Sequence, residues 1–203
     1  VTVPVTIDVG AAALHGDLTL PADATGLVVL AADSDNSRSV PRVQALARTF
    51  QDFRFGTLLF DLLVPDEEAD VDLLTRRLLH VLDDLTRRDA TANLPLGLFA
   101  ASAGAAAALA AAAAWPEEVY AVVASGGRPD LAADALPRVT APTLLIVGGK
   151  DPDAQRVNEE SAQRLGGPSE VKLVTGATAR FEEPGTLEEV AELAASWFTQ
   201  HLV

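Results

Sequence analysis

The sequence predicts an α/β fold: a doubly wound, mostly parallel sheet with antiparallel strands at its N-terminus. Three observations carry this. Continuous apolar runs such as GLVVLAA, at 26–32, recur along the chain in the form of strands buried on both faces. Helical segments separate these runs, so that from the third strand onward the order is strand, helix, strand, helix, with right-handed crossovers. Two stretches precede the first such run, at 1–9 and 13–20, and Pro21 ends the second.

Later strands are expected at 56–62, 94–101, 119–124, 142–148 and 171–174, each a short apolar run. Helices are expected at about 41–53, 67–88, 103–114, 153–165 and 186–201. Those starting near 67 and 186 open on the acidic stretches PDEEADVD and FEEPGTLEE, which the helix macrodipole favours. The alanine run at 103–114 is too short and too alanine-rich to span a bilayer, and reads as a core helix. Trp115 and Trp197 read as core or core-edge packing.

At 203 residues the chain is expected to form a single domain, 1–203, with a substantial core, and its 49% hydrophobic content argues against disorder. The net charge of −14 argues against a nucleic acid or an anionic membrane as partner, since either needs a basic face. Basic residues gather only in local pairs, Arg76-Arg77 and Arg87-Arg88, each flanked by carboxylates. Without cysteine there is no disulfide and no thiolate chemistry. The first ten residues alternate like a strand and lack a basic segment, so no signal peptide is expected and the location expected is cytoplasmic. The expected partner is a small-molecule ligand or ester-like substrate, with no cofactor, in a monomer or homodimer. Zero methionine beside zero cysteine fits an engineered chain or a biased genome.

In sheets of this kind, ligands bind beyond the carboxyl ends of the strands. One such end reads LFAASAGAAAAL, 98–109, where Ala100-x-Ser102-x-Gly104 joins a strand directly to a helix of small residues. A sharp strand-to-helix turn there would lift a serine above the sheet edge, near the helix N-terminal amides. The same residues also suit a serine that merely caps a helix. Another strand end, APTLLIVGGKDPD, puts Asp151 just past a buried strand.

With these pieces the chain resembles the α/β-hydrolase superfamily, most closely its small, lidless, dienelactone-hydrolase-like branch. The similarity covers nearly the whole chain, including LHGDLTLP, FGTLLFDLL, VVASGGRPDLAADALPRVTAPTLLIVGGKD and FEEPGTLEEVAELAASWFTQHL. It implies the α/β-hydrolase fold without a lid domain, with Ser102 as nucleophile and Asp151 as acid. It also implies an oxyanion or ligand-binding site around Ala32, Asp33 and Ala103. In the family the loop after the eighth strand reads like GATHLFEEPG, with a histidine as base; this chain has GATARFEEPG, so the base position is Ala179.

The remaining histidines, His15, His80 and His201, lie on an early strand, a charged helix and the last helix, and read as surface or edge residues. Arg180 is expected to face solvent rather than pair with Asp151. The oxyanion loop departs too: Ala32-Asp33-Ser34-Asp35-Asn36 replaces the family's His-Gly and small residues, setting carboxylates where donors should face developing negative charge. A serine without a base is a poor nucleophile. The expectation is a pseudoenzyme, or an engineered hydrolase scaffold, in which ordinary Ser-His-Asp hydrolysis is lost and the old pocket binds a small molecule.

A competing resemblance lies in LVVLAADSDNS, where Asp33-x-Asp35 after an apolar strand is similar to the first motif of haloacid-dehalogenase-like phosphatases. That resemblance implies Mg²⁺ at Asp33 and Asp35, with Ser102, Lys150, Asp151 and Asp153 loosely supplying the other motifs. The family's glycine after the second Asp is Asn36 here. In the plainer reading the two aspartates cap the next helix and solvate a loop.

Overall fold

The computed structural model describes residues 1–10, 12–32, 38–64, 67–68 and 70–202. Two alternating strands open the chain, β1 (Thr2–Asp8) and β2 (Ala13–Thr19), paired antiparallel with Thr2 opposite Thr19. The apolar runs follow as β3 (Gly26–Ala32), β4 (Phe55–Asp61), β5 (Leu96–Ala101), β6 (Val119–Ser125), β7 (Thr143–Gly148) and β8 (Ser169–Val174). They form one sheet in the order β1-β2-β4-β3-β5-β6-β7-β8. β2 pairs antiparallel with β4, and every pair from β4 to β8 is parallel.

Among the described residues five α-helices cover the sheet: α1 (Pro41–Asp52), α2 (Val71–Arg87), α3 (Ser102–Ala114), α4 (Pro152–Ala162) and α5 (Thr186–His201). Alternate residues of β3 explain why its sequence is apolar throughout. Leu27, Val29 and Ala31 pack with α2 and α3, whereas Val28 and Leu30 pack with α1 and α5. On the second side Phe198 of α5 is fully buried, with its ring 5.7 Å from Phe50 and 6.2 Å from Phe55. On the first, α3 is buried almost all round, a helix of alanines with Leu109 as its one large side chain. Trp197 is buried, as its place in the core-edge reading requires, and its Nε1 donates to Pro142 O at 3.3 Å.

The helix expected from 67 begins instead at Val71. Asp70 caps it, its side chain accepting from Leu73 N at 3.1 Å. Glu67 is drawn away by Arg77, whose Nη2 donates to it at 2.7 Å, while the same carboxylate accepts from Val64 N at 3.0 Å. Between β6 and β7 lie two short 3₁₀ turns, Pro129–Ala132 and Leu136–Arg138, too brief to show a period in the sequence. β8 starts two residues before the expected 171 because it is an edge strand, and its polar Ser169 and Glu170 still pair with Thr143 and Leu144. Among the described residues, no helix is long and apolar enough to cross a membrane.

Candidate active site

β5 ends at Ala101 and α3 begins at the next residue, so no loop separates strand from helix. The chain makes this turn at Ser102 with φ of +50°, a left-handed conformation that a residue with a Cβ adopts only when its surroundings impose it. Here the strand holds one side and the buried helix the other. The capping role open to Ser102 in the sequence is not the one it takes. Ala101 occupies the cap position, extended at φ −131° and ψ 165°, and no side chain caps the helix. The first-turn amides, Ala103 N–H among them, therefore point at the strand end without a side-chain acceptor. Among the described residues nothing hydrogen-bonds to Ser102 Oγ.

A cavity of about 320 Å³ opens beside this serine. Leu30 of β3, Val43 and Leu46 of α1, Phe99 of β5 and Val190 of α5 make it apolar, while Ser102, Ser125, Arg42, Arg180 and Glu182 give it polar points. Ala179 lines the same cavity as Ser102. The loop that carries it, 175–185, is fastened at several places. Gly126, at φ +59°, has no Cβ because Ala179 O would lie 2.2 Å from it; at Gly148 the obstacle is Thr178 O at 2.4 Å. Lys150 N donates to Ala177 O at 2.9 Å, tying this loop to the one after β7.

Within the loop, Thr178 N donates to both oxygens of Glu183 at 3.1 Å, and Lys150 Nζ lies 3.3 Å from that carboxylate. The Thr178 amide first, then the carboxylate's own backbone amide and Lys150, hold Glu183 down to about 2, well below the usual carboxylate range. Phe181, on the cavity wall, has φ of +52°. The backbone at residue 179 is thus over-determined.

Asp151 stands at the start of α4, where its Oδ1 accepts from Ala154 N at 2.9 Å. It does not line the cavity, and no hydrogen bond joins it to Ser102. Arg180 is exposed, as expected, with Nη1 3.9 Å from Glu182. Ala32 ends β3 opposite Asp61, which places the backbone of that one residue at the strand ends. Asp33 and Asp35, with the loop that was to hold donors or Mg²⁺, lie outside the described residues. Among the described residues, no group of three or more histidine, cysteine or acidic side chains is placed to hold a metal.

None of the three histidines lines the cavity. His15 Nδ1 lies 3.2 Å from Thr6 Oγ1 on the β1–β2 hairpin, His80 is exposed on α2, and the His201 ring sits 4.4 Å from that of Trp197. Sequence reasoning missed Arg42, Ser125 and Phe181. Ser125 ends a strand, the general rule for such sites. Arg42 had a subtler signal: a cation in a helix's first turn, against the macrodipole, needs another reason to be there. Its guanidinium donates to Arg180 O across the cavity mouth.

No family model matches the chain. Two Mycobacterium tuberculosis proteins, from two strains and provisionally named phosphoribosyl transferases, are each 47% identical over 199 residues. The match covers 95% of this chain but 45% of theirs, so the chain spans less than half the length of the curated relatives it matches. Among solved structures, a dienelactone hydrolase from Anabaena variabilis is 43% identical with a TM-score of 0.95, covering 100% of this chain and 99% of that one. Est1E from Butyrivibrio proteoclasticus, 14% identical with a TM-score of 0.85 over 97% of this chain and 98% of its own, shares the fold. With the strained serine between β5 and α3, the sheet order and this whole-length match, the chain belongs to the dienelactone-hydrolase-like family of α/β-hydrolases.

Proposed function

We propose that this chain is a single-domain, small-molecule-binding member of its family in which ordinary serine ester hydrolysis is impaired. One observation carries the reading: among the described residues around the cavity, none is suited to take the Ser102 proton. Ala179 offers a methyl group, and the two arginines stay protonated. Glu182, the one carboxylate, is 63% exposed and faces Arg180. Ser102 therefore keeps its proton at neutral pH and attacks esters poorly. The cavity's size and its mixed lining of apolar and polar side chains suit a small organic ligand. Phosphoribosyl transfer, named for the mycobacterial relatives, belongs to proteins more than twice this length.

The test is p-nitrophenyl acetate hydrolysis by the wild type beside Ser102→Ala. The two rates should agree within about threefold, because what survives the loss of a base comes from binding and oxyanion contacts rather than from the serine. A Ser102-dependent rate about a hundredfold above the control overturns the reading. Ala179→His then probes the oxyanion side: with competent amides it should raise the Ser102-dependent rate by about 10²-fold or more. No gain from that variant places the remaining defect beyond the base, in the oxyanion donors or in the placement of Asp151.

A further inference from the structure

We propose that the cavity beside Ser102 accepts a small molecule bearing its own neutral nitrogen base, of the imidazole class, and that this base activates the serine. The proposal rests on the reading of Ser102 as a nucleophile without a protein base. Three observations lead to it. Ser102 is held in a strained turn, which fixes its backbone, and among the described residues no group bonds its hydroxyl. Ala179, which lines the same cavity, carries only a methyl group, on a backbone that Gly126, Gly148 and Glu183 hold in place. The first-turn amides of α3, the helix that Ser102 itself begins, have no side-chain cap and are open to receive developing negative charge. A nucleophile and a set of donors are thus fixed around a space, and the missing proton acceptor can be carried by whatever fills it.

The chemistry balances without a further reagent. In acylation the ligand's nitrogen takes the hydroxyl proton as Ser102 Oγ bonds to the ester carbonyl carbon. The bond to the leaving oxygen breaks, and that oxygen departs as alcohol with the proton returned, or as p-nitrophenolate with the proton passed to water. Water then attacks the acyl-serine, giving a proton to the same nitrogen, which returns it to Oγ as the acid leaves. One ester and one water become one acid and one alcohol, and the base is regenerated. When base and ester belong to one molecule, that molecule is the substrate.

The probe is imidazole itself, added to p-nitrophenyl acetate at about pH 8, where an imidazole is mostly neutral. Free imidazole accelerates this ester linearly in all samples, so the readout is the enzyme-dependent increment. The wild type should gain a saturating increment of about tenfold or more over its imidazole-free rate. Ser102→Ala should show only the linear background. Ala179→Leu, at an exposed position, fills the space and should remove the saturating part; Ala179→Val repeats the test should the larger residue disturb folding, which thermal unfolding reads directly. A bulky 2-substituted imidazole on the wild type should also give no increment. An increment that is absent, or equal in wild type and Ser102→Ala, overturns the inference, as does saturation untouched by both Ala179 variants. A high Ser102-dependent rate before any imidazole is added instead overturns the impaired-hydrolase reading, so the two failures are told apart.

Discussion

Outside glycine, left-handed backbone occurs among the described residues at Arg54, Ser102 and Phe181, and the last two line the same cavity. Strain of this kind costs of order 1–3 kcal/mol per residue and persists only where neighbours dictate it. Gly126 is one such neighbour. Gly126→Ala combines φ of +59° with a Cβ 2.2 Å from Ala179 O, and should cost about 2 kcal/mol or more in urea denaturation. A change below about 0.5 kcal/mol would mean that the 175–185 loop is not seated on β6. At this scale the sequence was legible where chemistry leaves a motif and silent where only geometry matters. Ser102 was readable from its small neighbours, and Ala179 as a departure from a known pattern. The strain at Phe181 and the reach of Arg42 across the mouth were not readable, since each depends on residues far along the chain.

Among the elements, α2 shows most clearly how a local preference yields to a tertiary contact. Its acidic lead-in suits a helix start, and Asp70 and Asp72 serve that purpose, but Glu67 is taken by Arg77. Arg77 is buried, with Nη1 also donating to Leu62 O at 2.7 Å, so the pair fastens the segment after β4 to the helix. The Arg77 hydrogen bonds first, then the Val64 amide, lower the Glu67 carboxyl from 4.5 to about 2. Its stabilising contribution is therefore complete above pH 4.5 and is lost as pH falls through 4.5 toward about 2. Glu67→Gln should lower stability near neutrality by roughly 1–2 kcal/mol and flatten the acid limb within that window. Chemical denaturation at stepped pH checks both; an unchanged acid limb would assign the acid sensitivity to other carboxylates. The strands and the ends of α1 and α5 were legible because apolar period and proline or glycine punctuation agree there. The start of α2 was not, because its limit is set by an arginine one turn and a half inside the helix.

For the molecule as a whole, 29 acidic against 15 basic residues leave a net charge of −14, more than the surface ion pairs can offset. Self-repulsion of the folded surface is screened by salt, whereas exposed pairs contribute little at any salt concentration. The melting temperature should rise between low salt and about 0.5 M NaCl, by roughly 2–4 °C for each 1 kcal/mol of repulsion relieved in a chain of this size. A fall in calorimetric Tm would mean that the ion pairs outweigh the excess charge. Beneath that surface the alanine helix α3 has a consequence for how such a protein can change over time. Buried on nearly every side, it admits almost no substitution, because each added methylene must displace close-packed neighbours. The loop around Ala179 has a fixed backbone, but the side chain at 179 is exposed and under no such packing constraint. A drifting lineage would therefore change the side chain at 179 long before it could alter the turn at Ser102. The serine's strained perch endures as a by-product of packing, whether or not any chemistry still calls for it.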